Sequence, residues 1–266
     1  MRALLAGLIG LGYLVLSAAC GDDGGESGLP SNSSIATATK AAANTTPVPR
    51  TPSTAGTAGG PEPILAKPAA QFSLLLSDLK DGIYKVHEPN TYIVNAARFS
   101  LLGQFSSGIN AAALIQSWKF VEGWNVQYDP QGLLAAVATG SYYLTLETYL
   151  FEGTDGAKSA YQSFETQYSS VPGSTREATA PLANQSSGWS YISGTVGRSD
   201  LANVFHRFLF RRGNMVAVVQ TNGAGPFMTI DIARNYAVII DEEALGKRPA
   251  NLPTPIATRA SAVPTQ

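Results

Sequence analysis

One cysteine and two histidines are the chain's whole supply of thiol nucleophiles and imidazole bases, so three positions limit the chemistry it can perform. Cys20 ends the first apolar run of the sequence, and His87 and His206 stand far apart in it. A zinc site takes three or four His, Cys or acidic ligands close together, and the sequence offers no such group. We therefore predict no metal site, no cofactor and no catalytic cysteine, and we assign no catalytic residue.

His206 lies in a β-rich run, where it alternates with Val204 and Phe208. A catalytic imidazole needs a carboxylate or a nucleophile beside it, and the surrounding sequence shows neither. We interpret His206 as a half-buried strand residue with one hydrogen-bonded nitrogen. His87, which precedes Glu88 and Pro89, is typical of a loop.

Three arginines, Arg207, Arg211 and Arg212, cluster in the same run. The alternation of a strand places Arg207 and Arg211 on one face. They could contact anionic headgroups or an acidic partner. Alternatively, they protect a sheet edge from pairing with another chain, which is a routine use of charged side chains and the interpretation we favour.

Aromatic and acidic residues supply two further candidate sites. Six aromatics could line a groove for a sugar or a peptide, although large aromatics are mostly buried and a sheet core is the favoured interpretation. Four acids dispersed in the sequence could still converge in space to form an enzyme site. The aromatics are Trp118, Trp124, Tyr142, Tyr149, Trp189 and Tyr191, and the acids are Glu122, Asp129, Glu147 and Glu152.

The charge balance argues against nucleic acid as a partner. Lys and Arg number 18 against 19 Asp and Glu, without the basic excess that a phosphate backbone requires. The chain also contains no P-loop, no G-x-G-x-x-G after a strand and no G-x-S-x-G nucleophile elbow. These patterns exclude the common nucleotide-binding and serine-hydrolase classes.

The elements that position these residues are predicted between residues 63 and 246. Tyr142 to Phe151 alternates as a half-buried strand, and the next segment has the apolar spacing of a helix that starts near Thr154 and ends before Pro172. Upstream, Asn110 is expected to cap a helix, and Trp118 to Tyr128 is expected to form one or two strands broken at Gly123.

Short strands are predicted at residues 83–86 and 188–192. Two more strands, Val204 to Phe210 and Met215 to Gln220, are separated by Gly213-Asn214, which suits a tight hairpin turn. A last helix is predicted from Pro226 to about Leu245. Helices inserted singly among strands predict an α+β fold, with an antiparallel sheet of about five to seven strands and helices packed on it.

The amino terminus has the pattern of an export signal. Met1-Arg2 precedes the apolar stretch Ala3 to Val15, which is shorter than the roughly 20 residues of a membrane span. Leu16-Ser17-Ala18-Ala19-Cys20 then resembles the lipobox of bacterial lipoproteins, the alternative being an uncleaved signal anchor. The resemblance implies cleavage of residues 1–19, diacylglycerol on Cys20 and a membrane-anchored, extracytoplasmic protein. It also accounts for an unpaired thiol in an exported chain.

The composition predicts disordered segments on both sides of the domain. Residues 20–62 form a Gly/Ser/Thr/Pro-rich tether behind Cys20, and residues 247–266 form a Pro/Ala/Thr tail. Such segments bury too little apolar surface to offset the entropy of ordering them.

Three segments of the domain also resemble exported bacterial lipoproteins of uncharacterised activity: residues 74–82, 118–128 and 210–214. We therefore predict a membrane-tethered, non-catalytic module that binds an unknown protein or small molecule. The alternative is an extracytoplasmic enzyme with a dispersed carboxylate-based site.

Overall fold

The computed structural model describes residues 60–79, 84–102, 105, 110–132, 141–196, 200–225 and 227–248, without the side chains of residues 141 and 142. Several predicted features lie outside the described residues: the signal segment, Cys20, residues 21–59 of the tether, the tail from residue 249 onward, and Pro226. The same holds for Lys80-Asp81-Gly82, whose composition predicts a turn.

Long alternating strands dominate the described chain, and they form one antiparallel sheet of eight strands. The strands are β1 Tyr84–Val86, β2 Tyr92–Val94, β3 Phe120–Pro130, β4 Ser141–Phe151, β5 Thr175–Glu177, β6 Gln185–Thr195, β7 Ala202–Arg212 and β8 Met215–Ala224. Their order is β1-β3-β4-β8-β7-β6-β5, and β2 pairs with β3 beside β1.

The α+β class is confirmed, but the strand count exceeds the predicted five to seven. The strands missed are β2 and β5, with three residues each. A segment this short cannot show the two-residue period from which strands are recognised; β1 is equally short but is predicted from its position between a glycine turn and Pro89. The break expected at Gly123 is also wrong, because β3 runs through it. A Cβ there would lie 2.9 Å from the Thr148 carbonyl oxygen of β4, so glycine lets the two strands approach.

Helices cover both faces of the sheet. Within the described residues they are α1 Ala96–Leu101, α2 Ala111–Ser117, α3 Thr154–Ser170 and α4 Ile230–Ala244. Asn110 caps α2 as predicted, its side-chain oxygen accepting a hydrogen bond of 3.1 Å from the Ala113 amide. No helix in the described ranges is long and apolar enough to cross a membrane.

The alternation of β4 divides the core into two layers. Leu144, Leu146 and Leu150 pack on one side with α4 and the segment 69–79, which we call the α4 face. Tyr149 and Phe151 pack on the other side with α1, α2 and α3, which we call the α3 face. The apolar stripes predicted for the two long helices are those the structure buries.

Residues just outside the predicted bounds of 63 and 246 contact the folded domain. The Glu62 carboxylate lies 2.7 Å from Nη2 of Arg211, and the Asn184 amide donates to the Pro61 carbonyl at 3.2 Å. Beyond α4, the Lys247 amide donates to the Glu242 carbonyl at 2.9 Å. These terminal residues, assigned to tether and tail from composition, therefore contact the domain.

Candidate functional site

The α3 face is buried over only part of its length. Its core ends at Tyr149 on β4, Val218 on β8, Leu209 on β7 and Trp189 on β6. Beyond these residues most side chains of this face are half-buried, although Asn222 is buried, and among the described helices α3 reaches this part of the face through Tyr168. We call this surface the open face; it comprises Gln127, Asp129, Tyr143, Thr145, Glu147, Tyr191, Phe205, Arg207 and Gln220.

Arg207 lies near the centre of an aromatic cluster on the open face. Its guanidinium carbon lies 4.8 Å from the Tyr168 ring centroid and 5.2 Å from that of Tyr191. Nε donates to Oε1 of Gln220 on the neighbouring strand at 2.6 Å. The Tyr191 ring stacks on Phe205 with centroids 4.7 Å apart and an angle of 8° between the rings. The cluster therefore places a cation against two aromatic rings.

The interpretation of the arginines as edge protection is wrong. β7 pairs with β6 on one side and β8 on the other, so it has no free edge. Arg211 is buried and pairs with Glu62, and Arg212 is buried and pairs with Asp241 at 2.7 Å. Arg207 forms no ion pair with any residue that the structure describes. Of the three, it alone has a charge not matched by a described carboxylate.

A second polar cluster lies at the β3 side of the open face. His87 Nδ1 is 2.5 Å from Oδ2 of Asp129, whose other oxygen accepts from the Gln127 amide at 2.6 Å. Asn90 donates to Gln127 at 2.7 Å, which completes a chain of four side chains. No sequence pattern indicates this cluster, because its members come from a loop and a strand far apart in the chain. At about 4.8 Å per strand, it lies roughly 14 Å from Arg207.

His206 is buried on the α4 face, with both ring nitrogens hydrogen-bonded. Nε2 lies 3.0 Å from the Met228 carbonyl oxygen, and Nδ1 lies 2.6 Å from the Ser190 hydroxyl. Because a carbonyl only accepts, Nε2 carries the proton and Ser190 donates to Nδ1. Burial lowers the pKa of His206, against the opposing effect of the bond to Met228. The strand position was predicted, while the burial and the second bond were not.

The four candidate carboxylates have different surroundings. Glu122 accepts the Ala69 amide at 2.7 Å on the α4 face, and Glu152 faces solvent 3.5 Å from Lys119. Glu147 accepts from the Tyr149 hydroxyl at 2.6 Å, whereas Asp129 belongs to the histidine cluster. Burial, and next the Glu147 carboxylate, raise the pKa of Tyr149 well above its ordinary value, so its hydroxyl stays a donor. None of the described hydrogen bonds or ion pairs joins two of these acids.

The aromatic candidates divide between core and surface. Trp118, Tyr149 and Trp189 are buried as expected, and Trp124 is half-buried beside the core of the α4 face. Tyr191 belongs to the open face, and the Tyr142 side chain lies outside the described residues. The groove interpretation therefore applies to Tyr191, joined by Tyr143 and Phe205, which the sequence did not single out.

A cleft of about 540 Å³ at the start of α3 is less suited to a ligand. Its charged residues have both signs, and Lys119 is paired with Glu152. Among the residues described, no group of His, Cys, Asp and Glu is arranged to hold a metal ion.

No protein-family model and no curated protein matches the chain. Among solved structures, the fold is similar to the extracellular domain of PknH from Mycobacterium tuberculosis, with a TM-score of 0.33 and 11% sequence identity. The match covers 62% of this chain and 84% of that chain. A likeness at this TM-score supports no functional conclusion, so what the chain does has to follow from its own residues.

Proposed function

We propose that the chain is a bacterial lipoprotein, anchored outside the cytoplasm through lipid on Cys20, whose domain is a non-catalytic binding module. The anchoring is supported by the apolar signal segment and by the single cysteine at its end. Two or three acyl chains hold a protein on a membrane almost permanently, since each buried CH₂ contributes about 0.8 kcal/mol.

The observation that carries the binding proposal is the environment of Arg207. Tyrosine and arginine are enriched among the residues that dominate protein interfaces, and here both are half-buried on one open face. Arg207 also has no counter-ion among the described residues. A partner that supplied one would complete the site, so recognition is the function this geometry supports best.

The enzyme alternative depends on the pair formed by His87 and Asp129. A carboxylate that orients an imidazole is part of many general-base systems, but the imidazole must reach a nucleophile or a bound water. No described hydroxyl bonds to the His87 ring. This alternative is tested by an activity screen of the purified wild-type protein and of the His87→Ala variant. Turnover in the wild type that disappears in the variant would contradict the binding proposal and support the enzyme.

The anchor is tested by mass spectrometry of protein extracted from native membranes. We expect acyl chains on Cys20 and an amino terminus at that residue. Cys20→Ser is the matched control, and it should not acquire lipid. A mature terminus elsewhere, or release of the wild-type protein by salt washing alone, would contradict the anchoring proposal.

The binding module is tested by photo-crosslinking in the native host. A photoreactive amino acid replaces Thr145 on the open face or, as the control, exposed Glu242 on α4. We expect a discrete adduct from position 145 and none from position 242. Equal labelling at the two positions, or no adduct at position 145, would show that the open face has no specific partner.

A further inference from the structure

We infer that the open face binds a partner protein through a carboxylate, an Asp or Glu side chain of that partner, which pairs with Arg207. This inference rests on the proposed binding function and specifies its chemistry. It depends on the charge of Arg207, on the way that residue is held, and on the shape of the surrounding surface.

The guanidinium of Arg207 retains unused donors. Of its five N–H groups, the one on Nε is taken by Gln220 at 2.6 Å. Nη2 has a long contact of 3.5 Å with the Tyr191 hydroxyl, and Nη1 has no hydrogen-bond partner among the described residues. A carboxylate is an acceptor-only group that matches two parallel N–H donors of a guanidinium. The two Nη groups are therefore available for a bidentate bond.

The same contacts fix Arg207 before any partner binds. The rings of Tyr168 and Tyr191 both lie against the cation, and Gln220 accepts a hydrogen bond from Nε. Restricting a long side chain in advance removes much of the entropy cost that binding would otherwise carry. Arg211, on the same strand face, already has an acidic partner, because its Nη2 donates to the Glu62 carboxylate. Arg207 offers the same guanidinium, but no described carboxylate pairs with it.

The charge of the open face favours a carboxylate over a phosphate-rich surface. Arg207 is the only Lys or Arg in the set that defines the face, which also contains Asp129 and Glu147. Other basic residues on this side of the sheet include Lys85, which lies opposite Asp129, and Arg176, which is paired with Glu165. Anionic membranes and phosphorylated segments are typically bound by clusters of basic residues. One arginine flanked by acids suits a single carboxylate on a surface of mixed charge.

The shape favours a protein over a small molecule. Small-molecule sites bury most of the ligand in a concave cavity. The open face is instead the surface of a sheet, and five clefts in the described part of the chain are lined by other residues. Half-buried tyrosines around an arginine are typical of the energetic centre of a protein interface.

The test uses saturation-transfer NMR to compare how strongly two dipeptide probes bind the full mature lipoprotein in nanodiscs of deuterated lipid. The probes are N-acetyl-aspartyl-phenylalanine amide and the asparaginyl analogue, which differ only in the carboxylate. We expect a signal from the acid at least fivefold larger than that from the amide. Equal signals on the wild-type protein would overturn the inference without any variant.

Arg207→Gln should lower the acid signal to the level of the amide probe. Arg98→Gln is the charge-matched control, since Arg98 also stacks on a tyrosine, 3.7 Å from the Tyr92 centroid. It should leave the signal unchanged. Arg207→Lys, which keeps the charge and loses the planar fork, should give an intermediate signal and provides a second variant if the glutamine substitution unfolds the protein.

Other occupants would give different results, and each would overturn the inference. A dimer in sedimentation that Arg207→Gln dissociates would indicate a second copy of this chain. Binding to anionic vesicles that the same change abolishes, with equal signals from the two probes, would indicate a membrane surface. An adduct at position 145 combined with equal probe signals would support the binding module and contradict only the inferred contact with a carboxylate.

Discussion

Asp241→Asn is expected to destabilise the domain strongly, because it breaks a buried ion pair. Nε and Nη2 of Arg212 lie 2.7 and 2.8 Å from the two carboxylate oxygens of Asp241, a bidentate pair joining β7 to α4. The side chains are only 6% and 7% exposed. Removing one partner of a buried pair leaves an uncompensated charge and costs about 3–5 kcal/mol. That is a large part of the roughly 5–15 kcal/mol that stabilises a typical domain.

The assay is urea unfolding of residues 21–266, monitored by tryptophan fluorescence. Glu152→Gln is the matched control, since Glu152 forms an exposed ion pair with Lys119, whose side chains are 64% and 69% exposed, respectively. Exposed ion pairs contribute about 0–1 kcal/mol to stability. Replacing Arg212 and Asp241 together by Met and Leu should restore much of the loss, because no charge is then left unpaired. If Asp241→Asn costs no more than Glu152→Gln, the pair does not have the role assigned to it.

Two further predictions concern a titrating residue and a close contact. Burial lowers the pKa of His206 from about 6.5, so the unfolded chain takes up a proton below that pH before the folded chain does. The free energy of unfolding should therefore fall between pH 7 and pH 5.5, and less so in His206→Gln; identical losses in the two proteins would contradict this. Gly156→Ala should cost more than about 2 kcal/mol, since its Cβ would lie 1.9 Å from the Trp118 carbonyl oxygen. Gly153→Ala meets nothing within 4 Å and should cost no more than about 1 kcal/mol in the same unfolding assay, through the loss of a favoured N-cap residue of α3.

Local patterns predicted the long elements well. The alternation from Tyr142 to Phe151 identified β4 and the face of each side chain, and Asn110 marked the start of α2. Both signals depend on residues adjacent in the chain, which a sequence displays directly. The three-residue strands β2 and β5 escaped detection, because their existence depends on pairing with β3 or β6 rather than on their own composition.

The arginines show the same limit at the candidate site. Sequence alternation correctly placed Arg207 and Arg211 on one face, but it did not indicate that β7 is an interior strand. That depends on strand order, which is decided by pairings between distant segments. The acid that pairs with Arg211 lies at the very start of the described domain, and no periodicity in the sequence connects the two.

The sequence by itself determined the class of the fold, the two long helices and the expectation of an export signal that ends at Cys20. Each of these follows from the composition or spacing of contiguous residues. Only the tertiary structure decided which charges are paired and which part of the sheet the described helices leave half-buried. Burial and ion pairing are properties of the folded assembly, in which residues as distant as Glu62 and Arg211 come within 2.7 Å while Arg207 is left without a described acid.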